Sequence, residues 1–306
     1  MALRDHIEAL RDADQVSAAA IAGLSGLAMG EVDEAAEEWA QAPPPRRRHV
    51  VERMVEMAEA NVDLEFDAFL CHAMADSDPA VRERAAAGLW ETTDRRVALR
   101  LLDALRDDPS AAVRAAAARS LGHFALLAET GKLLERDREA VYEALAARLR
   151  EDAEPGEVRR RALEALGVFD TPEVAESIAR AYHSGDAPLR QSAVFAMGRS
   201  CNPRWLPSIF EEMESDDPAM RYEAANAARE QGDPAAAPRL VHLLSDHDAQ
   251  VRMAAVQALG GVGGPSALRA LREAAESDDA ALREAAQEAI AAANASDDPF
   301  SVDGAR

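Results

Sequence analysis

The chain has 306 residues, is 48% hydrophobic but only 4% aromatic, and carries a formal net charge of −22. That balance argues against a phosphate-binding surface, because approach to DNA or RNA needs basic residues. The apolar content is mostly Ala and Leu, which favours helix over strand. No run of 18 uncharged apolar residues exists, so no membrane span is expected. The first residues, "MALRDHIEALRDAD", lack an apolar core flanked as in a secretory signal, and a cytoplasmic protein is the default expectation. Cys71 and Cys201 are far apart and suggest neither a disulfide framework nor a zinc site.

In chain order, "ALRDHIEALRDA", a segment from about Gln15 to Leu27, and "EVDEAAEEWAQA" read as helices of an N-terminal cap over residues 1–42. "APPPRRR" follows as a linker, since three prolines forbid continuous helix there. "RRRHVVERMVEMAEAN" and "LEFDAFLCHAM" make a helix pair that reads as a degenerate first repeat.

From there the chain repeats itself. "AVRERAAAGLW", "AVRAAAARSLG", "EVRRRALEALG", "PLRQSAVFAMG", "AMRYEAANAAR", "QVRMAAVQALG" and "ALREAAQEAIA" align on Arg82, Arg114, Arg159, Arg190, Arg221, Arg252 and Arg283. The last five arginines are spaced by 31 residues, and Pro172, Pro203, Pro234 and Pro265 each fall 13 residues after an aligned arginine. Each unit reads as two helices. Proline opens the first, because its fixed φ suits a first helical turn. An acidic turn such as "SDDP" or "SDHD" follows and can cap the next helix. Apolar residues one before the arginine and three, four and seven after it mark a single buried helical face. Gly167, Gly198 and Gly260 suit a helix end or a tight contact.

The pattern "DP-x-VR-xx-A-xx-AL-G" resembles the HEAT and HEAT-like repeats, of the bacterial kind also found in phycobilin lyases. The resemblance spans roughly residues 45–293. It implies a right-handed α-solenoid of about eight helix pairs whose second helices line a concave face. It also implies that aligned Asp and Arg residues bond between neighbouring repeats, which makes the arginine series a structural ladder.

Two irregularities stand out. Arg114 and Arg159 are 45 residues apart, and the excess around "LLAETGKLLERDRE" reads as a tolerated surface loop. The residue four after the arginine is apolar in every unit until Gln287 in the last, as a terminal repeat requires. Residues 294–306, "NASDDPFSVDGAR", read as a disordered polar tail.

Catalytic chemistry is not evident. HEAT-repeat deoxyhypusine hydroxylases hold iron through His-Glu pairs, yet His6, His49, His72, His123, His183, His242 and His247 all lack a following Glu. His242 and His247 are five apart and do not share a helical face. "GGVGG" at 260–264 lacks both the Lys-Ser/Thr ending of a phosphate loop and a preceding strand. No cofactor or metal is expected.

Positions one, five and eight after each arginine should face solvent. Most are small or charged, but Phe195, Tyr222, Asn226, Arg229, Met253 and Gln257 cluster in three consecutive repeats, with Arg199 beside them. Phe195 and Tyr222 can also be read as packing between adjacent helices, and Trp90 and Trp205 as packing residues. The expected function is a non-enzymatic scaffold binding a protein or peptide partner in the concave groove, and the acidic charge favours a basic partner. The alternative is a phycobilin-lyase-like or chaperone-like protein handling a small ligand.

Overall fold

A computed structural model describes residues 6–7, 11, 16–34 and 36–296. The chain divides into two compact units, Met1–Leu166 and Gly167–Arg306. The predicted polar tail lies almost wholly outside the described residues, as does most of the first predicted helix.

The fold is an all-α solenoid of stacked helix pairs. After helical residues 6, 7 and 11, the described part of unit 1 continues with the short helices α1 (Ala18–Ala22), α2 (Met29–Glu34) and α3 (Ala36–Ala40). They dock through Trp39, whose ring meets Phe69 edge-on at 4.9 Å. Ser25 also accepts a bond from the Glu65 amide at 2.9 Å. The segment read as helix to Leu27 is helical only to Ala22 and then turns, with Gly26 at φ 71°. Next come α4 (Pro44–Ala60), α5 (Asp67–Ala73), α6 (Pro79–Gly88), α7 (Arg95–Asp107), α8 (Ala111–Glu129), α9 (Glu135–Arg150) and α10 (Gly156–Leu166). The expected proline linker shrinks to a few residues, because Pro44 and Pro45 occupy the first turn of α4, where amide hydrogens have no intrahelical acceptor.

Helices α4, α6, α8 and α10 stack on one another as one row, and α5, α7 and α9 as the other. The excess residues between Arg114 and Arg159 do not form the expected loop. They lengthen α8 to 19 residues and α9 to 16, leaving only a short turn through Gly131. The helical period simply continues there, and Leu121, Phe124, Ala125 and Ala128 of α8 are buried.

Unit 2 holds α11 (Pro172–Tyr182), α12 (Ala187–Arg199), α13 (Leu206–Glu212), α14 (Pro218–Gln231), α15 (Ala237–Leu243), α16 (Ala249–Val262), α17 (Gly264–Ala274) and α18 (Ala280–Ser296). Helices α12, α14, α16 and α18 form its second-helix row. Single 3₁₀ turns, Pro203–Trp205 and Pro234–Ala236, precede α13 and α15. Pro207 and Pro238 cause this, since neither has an amide hydrogen to give the carbonyl four residues back.

The buried face follows the repeat grammar. Val251, Ala255, Val256 and Leu259 around Arg252 are fully buried, as are Val113, Ala117, Ala118 and Leu121 around Arg114. Each Val or Leu buried this way contributes about 1.5–3 kcal/mol. Gln287, by contrast, is exposed on α18. Aspartates cap the helices as the acidic turns suggest, for example Asp217 accepting from the Ala219 amide at 2.9 Å. Among the described residues no helix is long and apolar enough to cross a membrane.

Candidate interaction face

The arginine series joins consecutive repeats. Arg82 donates from Nε and Nη2 to the two oxygens of Asp108 at 2.7 and 2.9 Å, and from Nη1 to the Asp76 carbonyl at 2.9 Å. Arg252 repeats this toward Asp279 at 3.2 Å and the Asp246 carbonyl at 2.9 Å. Each guanidinium thus ties its own turn to the next one, and the accepting aspartate in turn braces its own turn, as Asp108 does by accepting from the Ser110 amide at 2.8 Å. Hydrogen bonds from Arg221 hold the Asp246 carboxyl below the usual range.

The ladder departs from the aspartate pattern at defined places. Arg114 bonds Glu154 at 2.6 Å, because the longer helices of that repeat bring a glutamate to the turn. Arg190 bonds Glu212 on helix α13 rather than a turn aspartate, and its guanidinium lies 5.3 Å from the Tyr182 ring centroid. Arg159 has a buried Nε without a hydrogen-bond partner. Arg283, in the last repeat, reaches the Ser277 carbonyl at 2.7 Å.

Two features escaped the sequence reading. Arg48, on α4, donates to Asp78 at 2.8 Å, so the ladder starts one helix pair before Arg82. Tyr182 donates to buried Glu212 at 2.7 Å, and burial followed by that carboxylate pushes its phenol up to about 12. Neither has a sequence marker, since Arg48 precedes Arg82 by 34 residues, off the 31-residue beat.

The predicted interaction residues occupy α12, α14 and α16 of unit 2. Phe195 is 38% exposed and Tyr222 40%. Arg229 and Gln257 are exposed, while Arg199, Asn226 and Met253 are half-buried. Asn226 uses one amide hydrogen on the Tyr222 carbonyl at 3.2 Å. Arg229 pairs with neighbouring Glu230 at 2.9 Å.

The eighth position of the stripe is not open surface throughout. Gly167 and Gly198 are buried, and a Cβ on Gly198 would sit 2.6 Å from the Ala227 Cα. Gly198 and Gly260 lie inside their helices, so their role is close approach rather than helix termination. Ala115, expected on the same stripe, is also buried.

Arg229 stands where those glycines stand, and the facing helix compensates. A Cβ on Gly261 of α16 would fall 2.6 Å from Arg229 Cγ, so the missing side chain there makes room for the arginine stem. Beside it opens a groove of about 830 Å³ between α14, α16, α17 and α18, lined by Arg229, Met253, Gln257, Leu268 and Glu288. The "GGVGG" segment, which carries no phosphate-loop pattern, forms part of its wall through Gly260, Gly261, Gly263 and Gly264. Phe195 and Tyr222 lie on the same helix row outside this groove. Trp205 is half-buried, and Trp90 is 45% exposed rather than packed away.

Among the described residues no group of three or more His, Cys, Asp or Glu side chains could hold a metal ion. The HEAT-repeat profile matches residues 68–152, 142–211 and 206–291. A chain from the complex of CpcE and CpcF of phycocyanin lyase from Nostoc sp. is similar, at 20% identity and a TM-score of 0.53, with 77% of this chain and 91% of that chain covered. Human deoxyhypusine hydroxylase, in complex with glycerol, is similar at 19% identity and a TM-score of 0.38, with coverages of 87% and 96%. No curated protein matches the sequence. The three profile matches run without a break from residue 68 to residue 291, and the chain belongs to the HEAT-repeat family.

Proposed function

We propose that the protein is a non-enzymatic HEAT-repeat scaffold that binds a protein or peptide partner along α12, α14 and α16. The supporting observation is the groove of about 830 Å³ beside Arg229, Met253 and Gln257, continued along the row by exposed Tyr222 and Phe195. Aromatic residues, Met and Arg are enriched in interface cores, and a chain with 4% aromatics places two of them at this surface. The excess of acids over bases favours a basic partner. The repeat grammar keeps 1–42 as a cap, 45–293 as the repeat array and 294–306 as a tail in this reading.

The test replaces Tyr222, Asn226 and Arg229 with Ala together and compares capture from native lysate by mass spectrometry, with circular dichroism confirming an intact fold. At least one protein captured by the native chain should disappear. Retention of every captured protein places the partner elsewhere.

The groove volume also falls in the range of roughly 300–1,000 Å³ typical of small-ligand sites, which supports a second reading. In that reading the protein handles a bilin-like ligand, as the name of the phycocyanin lyase relative suggests. Adding bilins at high protein concentration should then shift their absorbance, and an unchanged spectrum removes this reading.

A further inference from the structure

A second concavity, in unit 1, is unrelated to that groove. It has a volume of about 260 Å³ and lies between the end of α4, the loop before α5 and the end of α6. Its floor is apolar, made by Val55, Phe66 and Leu70, all buried. Gly88 lets α6 pack tightly against this floor, since a Cβ there would meet Val55 Cγ2 at 2.5 Å. Trp90 forms a wall and stays 45% exposed, while Val62, at 96%, stands at the mouth. A half-exposed Trp on a concave wall is the residue type most often found at binding hot spots.

The charge around this wall has one sign. Glu59, Glu65, Asp67 and Glu91 line the cavity, and no Lys, Arg or His does. Between Arg53 and Arg82 the chain contains no Lys or Arg at all. Among the described residues none of these four carboxylates has a cationic partner. An aromatic wall with carboxylates around it attracts an organic cation, through the ring quadrupole and through Coulomb attraction together. The exposed Val62 and half-buried Leu64 add an apolar path suited to an aliphatic stem. The volume is below the roughly 300 Å³ at which small-molecule sites begin, so it suits one side chain rather than a whole ligand.

We propose that the Trp90 cavity of unit 1 binds an arginine or lysine side chain of a basic partner. The test titrates the protein with N-acetyl-arginine amide, N-acetyl-lysine amide and the uncharged isostere N-acetyl-citrulline amide. Binding is read from the backbone amide signals of Ala58, Gly88 and Thr92. The arginine and lysine compounds should shift these signals saturably, and citrulline should bind at least about ten-fold more weakly, the factor expected for about 1.4 kcal/mol of charge-dependent attraction. Trp90→Leu, which keeps apolar area but removes the ring, should weaken binding several-fold. Glu59→Gln with Glu65→Gln should do the same without touching the ring, and added salt should erase most of the difference. Equal binding of citrulline, or full affinity in Trp90→Leu, overturns the proposal. Tighter binding of tetramethylammonium than of the arginine compound also overturns it, by assigning the cavity to a free small cation.

Discussion

Arg221 holds Asp246 in a bidentate grip, Nε to Oδ2 at 2.7 Å and Nη2 to Oδ1 at 2.9 Å, while its Nη1 reaches the Ser215 carbonyl at 2.8 Å. Both side chains are largely buried, at 17% and 7% exposure. Arg221→Ala leaves a shielded carboxylate and an orphaned carbonyl and should cost about 2 kcal/mol, between the values for exposed and buried pairs. Arg221→Lys should recover only part of this, since an ammonium cannot span both oxygens and the carbonyl. Urea midpoints of the two variants check the order.

Gly198 of α12 faces the Ala227 backbone of α14, with a built Cβ 2.6 Å from Cα and 3.0 Å from Cβ. Backbone cannot yield as a flexible side chain can, so Gly198→Ala should destabilise by about 2 kcal/mol through overpacking. Gly156, at the start of α10, has nothing within 4 Å of a built Cβ, and Gly156→Ala should be neutral or slightly stabilising. Thermal melts of both variants separate space from helix propensity.

Cys201 is the only residue other than glycine with positive φ among the described residues, at 47°. Gly232 and Gly263, one and two repeats later, occupy the matching place at 65° and 63°. Cys201→Gly should therefore stabilise by about 1 kcal/mol, the approximate strain of a left-handed L-residue. An unchanged urea midpoint would show that the side chain compensates the strain.

Stability should depend on pH at both extremes. Arginine partners and backbone amides hold Asp78, Asp246 and Asp279 below their ordinary value of 3.8. Carboxyls lowered in the folded state stabilise above the unfolded value, so stability should be level near neutrality and fall as pH drops below about 4. Tyr182 has the opposite sign. Its folded value of about 12 against an ordinary 10.0 means its contribution is complete below 10 and lost as pH rises toward 12. Phenolate absorbance should show a step near pH 12, and Tyr182→Phe should remove it.

The repeat core was legible in the sequence because it depends only on local periodicity. Every residue four after an aligned arginine, from Ala86 to Val256, is buried, and Gln287 is not. The length of α8 was not legible, since a 14-residue excess marks an interruption of the beat without telling helix from loop. The Tyr182–Glu212–Arg190 cluster depends on side chains of different repeats meeting in space, which no single window records. Along the candidate face the stripe picked out exposed Phe195, Tyr222, Arg229 and Gln257 but also half-buried Asn226 and Met253, and the groove needs Gly261 opposite Arg229, a pairing between two helices.

The ladder points one way. Arg48, Arg82, Arg114, Arg190, Arg221 and Arg252 all bond an acid that lies later in the chain. A repeat therefore works as a cassette, carrying a plug for its successor and a socket for its predecessor. Duplicating the 31-residue cassette between Arg221 and Arg252 leaves each copied plug facing an aspartate socket, so array length can vary there by copying alone. Exposed Tyr222 travels with its own cassette, whereas Arg229 also needs Gly261 of the next one, so that pair must be copied together.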